Sequence, residues 1–393
     1  MKKGNIADAS CAKCGACVPV CPVCRAEGRE IFTARGRMHL LAVRPGPPSV
    51  LFADIFSRCL LCGACEQVCP RRLPITQLII ETRSRLPLLY PTSLQKAAVC
   101  TILARPVLLD GLVRAGISLR RILALPADSG LRLRLALLEE RPAPLEQDNN
   151  PATSSLAAHI NYFTGCFARH LQPSIAAAVK HLLRRCGISV QIPAGQGCCG
   201  LAAWSAGRLD LARELARCNI SAFAKTTGPV LASCSSCAAH LLALPSLFAE
   251  NDPQRLQAQT LADRVREFSA FFSETLPPAE SACGLRVFYH DPCHLRFLPD
   301  GMSAPRRLLR LAGCVVLEPE ESPLCCGQGG LFDMVYPDSS ASIFASCAAQ
   351  ALARKPDCIT TACSGCLMQH QARLGKKEVK TVHLAVLLEE ALI

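Results

Sequence analysis

Five cysteine positions occur twice in this 393-residue chain, and their spacing constrains the fold more than any other feature. Cys166, Cys198, Cys199, Cys234 and Cys237 form one set; Cys293, Cys325, Cys326, Cys363 and Cys366 form the other. The first three positions are offset by 127 residues (166 to 293) and the last two by 129 (234 to 363), so the copies differ by a two-residue insertion. Repetition at this length means two related structural units, with a boundary expected near Leu276-Pro277-Pro278. Each copy reads as strand, helix, strand: 159–164, 175–183 and 188–192 in the first, 285–289, 306–311 and 315–317 in the second. That alternation argues repeated α/β domains with a largely parallel sheet. Ligands of such sheets sit at the carboxyl ends of strands, where Cys166, Cys234, Cys293 and Cys363 fall.

A second pattern precedes the repeat. Cys11, Cys14, Cys17, Cys21 and Pro22 form C-x2-C-x2-C-x3-C-P, and Cys59, Cys62, Cys65, Cys69 and Pro70 form it again. In two-cluster ferredoxins three close thiolates of each run grip one [4Fe–4S] cluster and the fourth crosses to the other. The expected sets are therefore Cys11, Cys14 and Cys17 with Cys69, and Cys59, Cys62 and Cys65 with Cys21. Gly15 and Gly63 follow the second cysteine of each run and allow a tight turn there. Zinc is the alternative, but its usual pattern is two separated C-x2-C pairs.

Composition agrees with metal-bound thiolates. The chain has 26 cysteines, and 1–15 is polar with no apolar stretch to serve as a secretory signal, so a disulfide framework of an exported mini-protein is disfavoured. A formal charge of +12 would by itself suggest nucleic acid, yet metal-bound thiolates stay ionised and reduce it, and four Tyr and one Trp make no stacking platform. Nucleic acid is therefore not expected as a partner. No uncharged window is long enough for a spanning helix.

Five converging thiolates per copy exceed what a tetrahedral zinc site uses, which favours a polynuclear iron–sulfur centre; zinc in one set remains the alternative. Gly195, Gly197 and Gly200 spell G-x-G-x-x-G, but the paired cysteines fill its variable positions and no acidic ribose ligand follows at the proper distance, so a dinucleotide site is not expected.

The motifs FTGC (163–166), GQGCCG (195–200), SCSSC (233–237), HDPCH (290–294), LCCGQGG (324–330) and ACSGC (362–366), behind two ferredoxin runs, resemble the iron–sulfur subunit of bacterial glycolate oxidase and its lactate-oxidising relatives. The cysteine-rich unit is shared with heterodisulfide reductase and the third subunit of anaerobic glycerol-3-phosphate dehydrogenase. The resemblance implies two cubane clusters and noncubane [4Fe–4S] clusters on the two five-cysteine sets. It also implies an FAD-containing 2-hydroxy-acid dehydrogenase as partner, and a quinone or other electron acceptor. The implied role is electron transfer; a rival reading makes the cysteine-rich clusters themselves cleave a disulfide, and a third is a glycerol-3-phosphate dehydrogenase electron-transfer subunit. A cytoplasmic location is expected, with peripheral contact at the inner membrane as an addition to it.

The expected domains are a small helical ferredoxin-like domain at 1–82, a Leu/Arg-rich helical connector at 83–150, and cysteine-rich domains at 156–275 and 284–393. In the connector, Arg83, Arg85, Arg105, Arg114, Arg120, Arg121, Arg132 and Arg134 interleave with apolar residues. Two readings follow: an apolar face packed on the cluster domains or the flavoprotein, which is favoured, or basic amphipathic helices on an anionic membrane. His290 and His294 flank Cys293 and are expected to hydrogen-bond cluster sulfur. Cys24, Cys100, Cys186, Cys218, Cys283, Cys314, Cys347 and Cys358 lie outside every motif and read as small packing residues. No nucleophile elbow, P-loop or paired-carboxylate signature marks a further catalytic centre.

Overall fold

A computed structural model describes residues 11–43, 48–86, 91–122 and 159–392. It forms two compact units. One comprises Met1–Thr101, Gly200–Arg213 and Leu324–Ala349; the other comprises Ile102–Cys199, Glu214–Pro323 and Gln350–Ile393.

The first unit is helical, as the sequence predicts. Helices Pro22–Glu27, Ala34–Val43, Val50–Ser57 and Ile75–Ser84 enclose a core of Val23, Phe32, Met38, Phe56, Leu60, Leu61 and Ile79. Ser49 caps the third of these by accepting from Phe52 N–H, the bond an N-cap supplies to an otherwise unpaired donor. Two later stretches, 200–213 directly after Cys198-Cys199 and 324–349 containing Cys325-Cys326, contribute Trp204, Phe332, Tyr336 and Ile343 to the same core.

The second unit carries both sheets, each of four parallel strands. In the first, β1 (His159–Phe163), β2 (Ser189–Gln191), β3 (Val230–Ala232) and β4 (Val265–Glu267) lie in the order β2-β1-β3-β4. In the second, β5 (Arg286–Tyr289), β6 (Val315–Leu317), β7 (Cys358–Thr361) and β8 (Lys380–His383) lie in the matching order β6-β5-β7-β8. β1, β3, β5 and β7 are almost wholly buried, as central parallel strands covered on both faces should be.

The two repeats share one core. Helix Pro173–Arg185, after β1, packs on helix Leu384–Leu392, after β8; helix Ser303–Leu311, after β5, packs on helix Phe268–Thr275, after β4. The exchange is reciprocal: the first helix of each repeat meets the last helix of the other. Gln172 Nε2 donates to Gln371 Oε1 at 2.7 Å, Arg185 to Leu392 O at 2.9 Å, and Arg307 to Ser273 Oγ at 2.9 Å across it.

The connector departs from a uniformly solvated basic face. Arg83 is buried, whereas Arg85, Arg105 and Arg114 are exposed. Helix Pro106–Ile122 buries Leu109 and Val113, leaves Val107, Leu108 and Leu112 exposed, and is tied to the second unit by Asp110, which pairs with His170 Nδ1. The side chains of Arg120 and Arg121, and all of Arg132 and Arg134, lie outside the described residues. No helix among the described residues is long and apolar enough to cross a membrane.

Candidate metal centres

In the first unit the eight ferredoxin-type cysteines line two cavities. Cys11, Cys14, Cys17, Cys65 and Cys69 line one, with Ala34, Met38 and Ile75 beside them. Cys21, Cys59, Cys62 and Cys65 line the other, with Val23, Leu60 and Ile79. The fourth cysteine of each run thus stands among the first three of the opposite run. Gly15 and Gly63 adopt φ of 84° and 75°, as the turn after the second cysteine requires.

The residue before the second cysteine is stranger. Lys13 and Leu61 hold φ of 56° and 55°, costly for side chains with a Cβ. In each the strained backbone aims its N–H at the sulfur of the run's first cysteine: Lys13 N to Cys11 Sγ and Leu61 N to Cys59 Sγ, both 3.4 Å. Gly327, φ 80°, does the same to Cys325 Sγ at 3.4 Å in the second repeat. Three such turns put amide donors on sulfur, which stabilises anionic thiolate–metal groups.

Burial pushes the thiol of Cys17 up, and that of Cys21 as well. Cys65 rises further, through burial first and then the neighbouring Cys59 and Cys62. Such an array resists ionising by itself; bound metal cations would supply the missing positive charge. Apolar walls, sulfur donors and amides aimed at sulfur fit an iron–sulfur cluster in each cavity.

Two buried arginines stand beside the second cavity. Arg37 donates Nε to Ile55 O at 3.0 Å and also bonds Phe32 O. Arg83 gives its guanidinium to Phe56 O (2.9 Å), Ser57 O (3.0 Å) and Cys59 O (2.6 Å), bracing the carbonyls that lead into Cys59. Burial lowers its pKa to about 10, which leaves it charged. Sequence reasoning places Arg83 on the same basic stripe as Arg85; only a chain contact far from it in sequence distinguishes the two.

In the second unit the first five-cysteine set gathers completely. Cys166 follows β1; Cys198 and Cys199 are buried in the loop before Gly200; Cys234 stands at the N-cap position of helix Ser235–Leu242, with Cys237 in its first turn. Cys166 reaches Cys198, Cys237 reaches both Cys199 and Cys234, and each of these thiol contacts is of hydrogen-bond type. These contacts push Cys166 and Cys237 well up, with burial adding to them. Cys234 is held down, chiefly by its bonds from Cys237 and Cys363, with Ser364 contributing. Asn219, absent from the sequence analysis, fixes the cysteine pair by accepting from Gly197 N (3.0 Å) and donating to Cys198 O (2.9 Å). Its position inside a long amphipathic helix carries no signal.

Of the second set, Cys293, Cys363 and Cys366 belong to the same unit, and Cys325 and Cys326 to the first. Cys363 stands at the N-cap position of helix Ser364–Glu378 as Cys234 does in its counterpart, and it contacts Cys366 and Cys234. Its thiol is pushed up to about 12, first by Cys234. The two repeats meet here: Ser235 N donates to Ala362 O at 2.8 Å, and Ser364 N lies 3.5 Å from Cys234 Sγ. His294 is linked to sulfur through a serine, its Nδ1 lying 2.9 Å from Ser236 Oγ, itself 3.1 Å from Cys363 Sγ. His290 packs its ring 4.7 Å from that of His370.

Residues 8–73 match the 4Fe-4S dicluster domain, and residues 160–242 and 287–371 match the cysteine-rich domain called CCG. The chain belongs to the iron–sulfur proteins that join a 4Fe-4S dicluster domain to two CCG domains. It is 29% identical over 275 residues to the probable glycolate oxidase iron-sulfur subunit of Bacillus subtilis (strain 168), covering 66% of this chain and 62% of that protein. It is 29% identical over 235 residues to lactate utilization protein A of Shouchella clausii, covering 58% of this chain and 98% of the other. A third relative, from the fumarate reductase (CoM/CoB) of Methanothermobacter marburgensis, is 28% identical over 239 residues, 60% of this chain and 46% of that one. The match thus spans under two thirds of the first and third of these relatives.

Proposed function

We propose that this chain is the electron-transfer subunit of a flavoprotein that oxidises a 2-hydroxy acid such as glycolate or lactate, passing electrons from the partner's FAD to a quinone or other acceptor. The observation that carries the reading is that all eight ferredoxin-type cysteines line two cavities, Cys69 beside Cys11, Cys14 and Cys17 in one and Cys21 beside Cys59, Cys62 and Cys65 in the other. The chain offers no flavin-binding motif, so hydroxy-acid oxidation is assigned to the partner. Bound clusters would supply one-electron steps to a two-electron flavin.

The residues have separable tasks. Cys11, Cys14, Cys17 and Cys69 hold one cluster, and Cys59, Cys62, Cys65 and Cys21 the other. Cys166, Cys198, Cys199, Cys234 and Cys237 hold a third, and Cys293, Cys325, Cys326, Cys363 and Cys366 a fourth. Amides of Lys13 and Leu61 and the guanidinium of Arg83 stabilise the anionic thiolate groups.

Anaerobically purified protein is expected to contain about sixteen irons, four per site, with matching sulfide. Iron near eight with stoichiometric zinc would overturn the assignment for the repeats. Reconstitution with the flavoprotein should then reduce the clusters on adding glycolate or lactate. Reduction by neither, with thiol release from an added disulfide instead, would replace this role with disulfide cleavage. Cys21→Ser should remove the EPR signal that Cys59→Ser also removes and leave the one lost in Cys11→Ser.

A further inference from the structure

Two cysteines outside every cluster motif lie side by side. Cys283 Sγ and Cys314 Sγ are 3.2 Å apart, closer than unbonded sulfurs ordinarily rest. Cys283 stands three residues before β5 and Cys314 immediately before β6, so 31 residues of chain separate them. The backbones around them are locked: Gly284 N donates to Gly313 O at 3.1 Å, and Val315 N to Leu285 O at 2.8 Å. Gly313 makes the approach feasible. At φ 72°, a Cβ there would lie 2.7 Å from Ala282 Cα and 2.8 Å from Cys283 N, so only glycine lets the segments touch.

The strands are parallel, and the pair sits at their amino ends, whereas Cys293 and Cys363 follow their carboxyl ends. One strand of four residues spans roughly 13 Å, so the pair is separate from the cluster ligands. The first repeat has no equivalent, for Ile188, immediately before β2, stands where Cys314 stands immediately before β6.

We infer that Cys283 and Cys314 form a cluster-independent dithiol that closes into an intramolecular disulfide by exchange with a low-molecular-weight disulfide. Cys283, partly exposed between the exposed Ala282 and Gly284, is the attacking thiol; Cys314, only 7% exposed, resolves. The Cys283 thiolate attacks one sulfur of R–S–S–R and displaces RS⁻, leaving a mixed disulfide. Cys314 then attacks Cys283 Sγ, its proton passing to the second departing RS⁻. Two thiols of the protein lose two electrons and two protons; the small disulfide becomes two RSH. Burial pushes the Cys314 thiol up to about 12, which keeps it protonated until the mixed disulfide presents a target.

The test uses the cluster-loaded full chain, equilibrated anaerobically in reduced and oxidised glutathione, blocked with N-ethylmaleimide and mapped by mass spectrometry. The peptide joining Cys283 to Cys314 should rise at least roughly tenfold between reduced and oxidised buffers, with iron and sulfide unchanged. Cys283→Ser should abolish it, and Cys358→Ser should leave it intact. With iron retained, the inference is overturned by two cysteines alkylated throughout, by glutathione fixed on Cys283 beside a free Cys314, or by linkage of Cys314 to Cys358.

Discussion

The two cysteine-rich repeats have the same strand order and the same cysteine spacing, yet different chemistry supports them. After β1 the chain is neutral: Thr164 N donates to Gln196 Oε1 at 2.9 Å, and Gln196 Nε2 donates to Tyr162 O at 3.1 Å. At the equivalent place after β5, Asp291, 2% exposed, takes both outer nitrogens of Arg306 at 2.8 Å, and Glu318 takes Arg306 Nε at 2.8 Å. Asp291 thus occupies the position of Thr164, each two residues before its cysteine. Spacing of the cysteines is therefore what the repeats share, and a strand-end loop can be fixed by amides or by charge.

Breaking the two locks should separate the repeats most. Arg306→Met leaves Asp291 as a buried, unpaired carboxylate and should cost about 3–5 kcal/mol. Gln196→Ala removes neutral hydrogen bonds and should cost about 1–3 kcal/mol. Hydrogen exchange of the β5 and β1 amides reads the two losses separately. Equal losses would mean that the charge of the second lock has no energetic consequence.

The residues that end the fourth strands sharpen the contrast through pH. Glu267 caps helix Phe268–Thr275 by accepting from Ser269 N and Ala270 N, while His383 Nδ1 accepts from Ala385 N before helix Leu384–Leu392. Burial pushes Glu267 up, whereas burial pushes His383 down to about 4. The unfolded histidine binds its proton first, so the stability from His383 is present above pH 6.5 and falls as pH drops to about 4. The slope is about 1.4 kcal/mol per pH unit for one proton. Glu267 acts in the opposite sense: its contribution is present below pH 4.5 and is lost as pH rises through its folded value. His383→Gln should flatten the acid limb of the β8 amides, and Glu267→Gln should leave that limb unchanged. A limb unaltered by His383→Gln would sink the argument.

The smallest expected difference concerns two equivalent tyrosines. Tyr162 and Ser233 share a hydrogen bond of 2.8 Å; in the second repeat Ala362 replaces the serine, so among the described residues the buried hydroxyl of Tyr289 has no side-chain partner and meets the Ala362 backbone instead. Tyr162→Phe should cost about 1 kcal/mol, and Tyr289→Phe should cost less. Thermal midpoints of the two variants decide it, and Ala362→Ser should raise the cost of losing the Tyr289 hydroxyl.

Sequence legibility follows the range of the interactions. β1, β2, β5 and β6 are legible within a residue or two at each end because β-branched and aromatic runs mark them, whereas β4 and β8 are not. Val265–Glu267 has one β-branched residue, set between the charged Arg264 and Arg266, so no apolar run marks it. Lys13 and Leu61 give no hint of left-handed backbone, since glycine is the usual signal and neither is glycine. Arg83 and Arg85 look alike along the chain; folding buries one against Phe56, Ser57 and Cys59 carbonyls and leaves the other in solvent.

By itself the sequence determined what local spacing can encode: two ferredoxin-type runs, two copies of a five-cysteine unit, and parallel α/β repeats behind a helical region. Metal ligands a few residues apart are constrained by chain geometry before any packing occurs. Only the tertiary structure decided that the repeats exchange helices to bury one continuous core, that the stretches at both cysteine pairs join the core of the ferredoxin-type region, and that Cys283 meets Cys314. These depend on apolar surface being removed from water between segments distant in sequence, and hydrophobic burial is non-directional. A periodic pattern says that a helix has an apolar face; the partner it covers is settled by the shape of the whole unit.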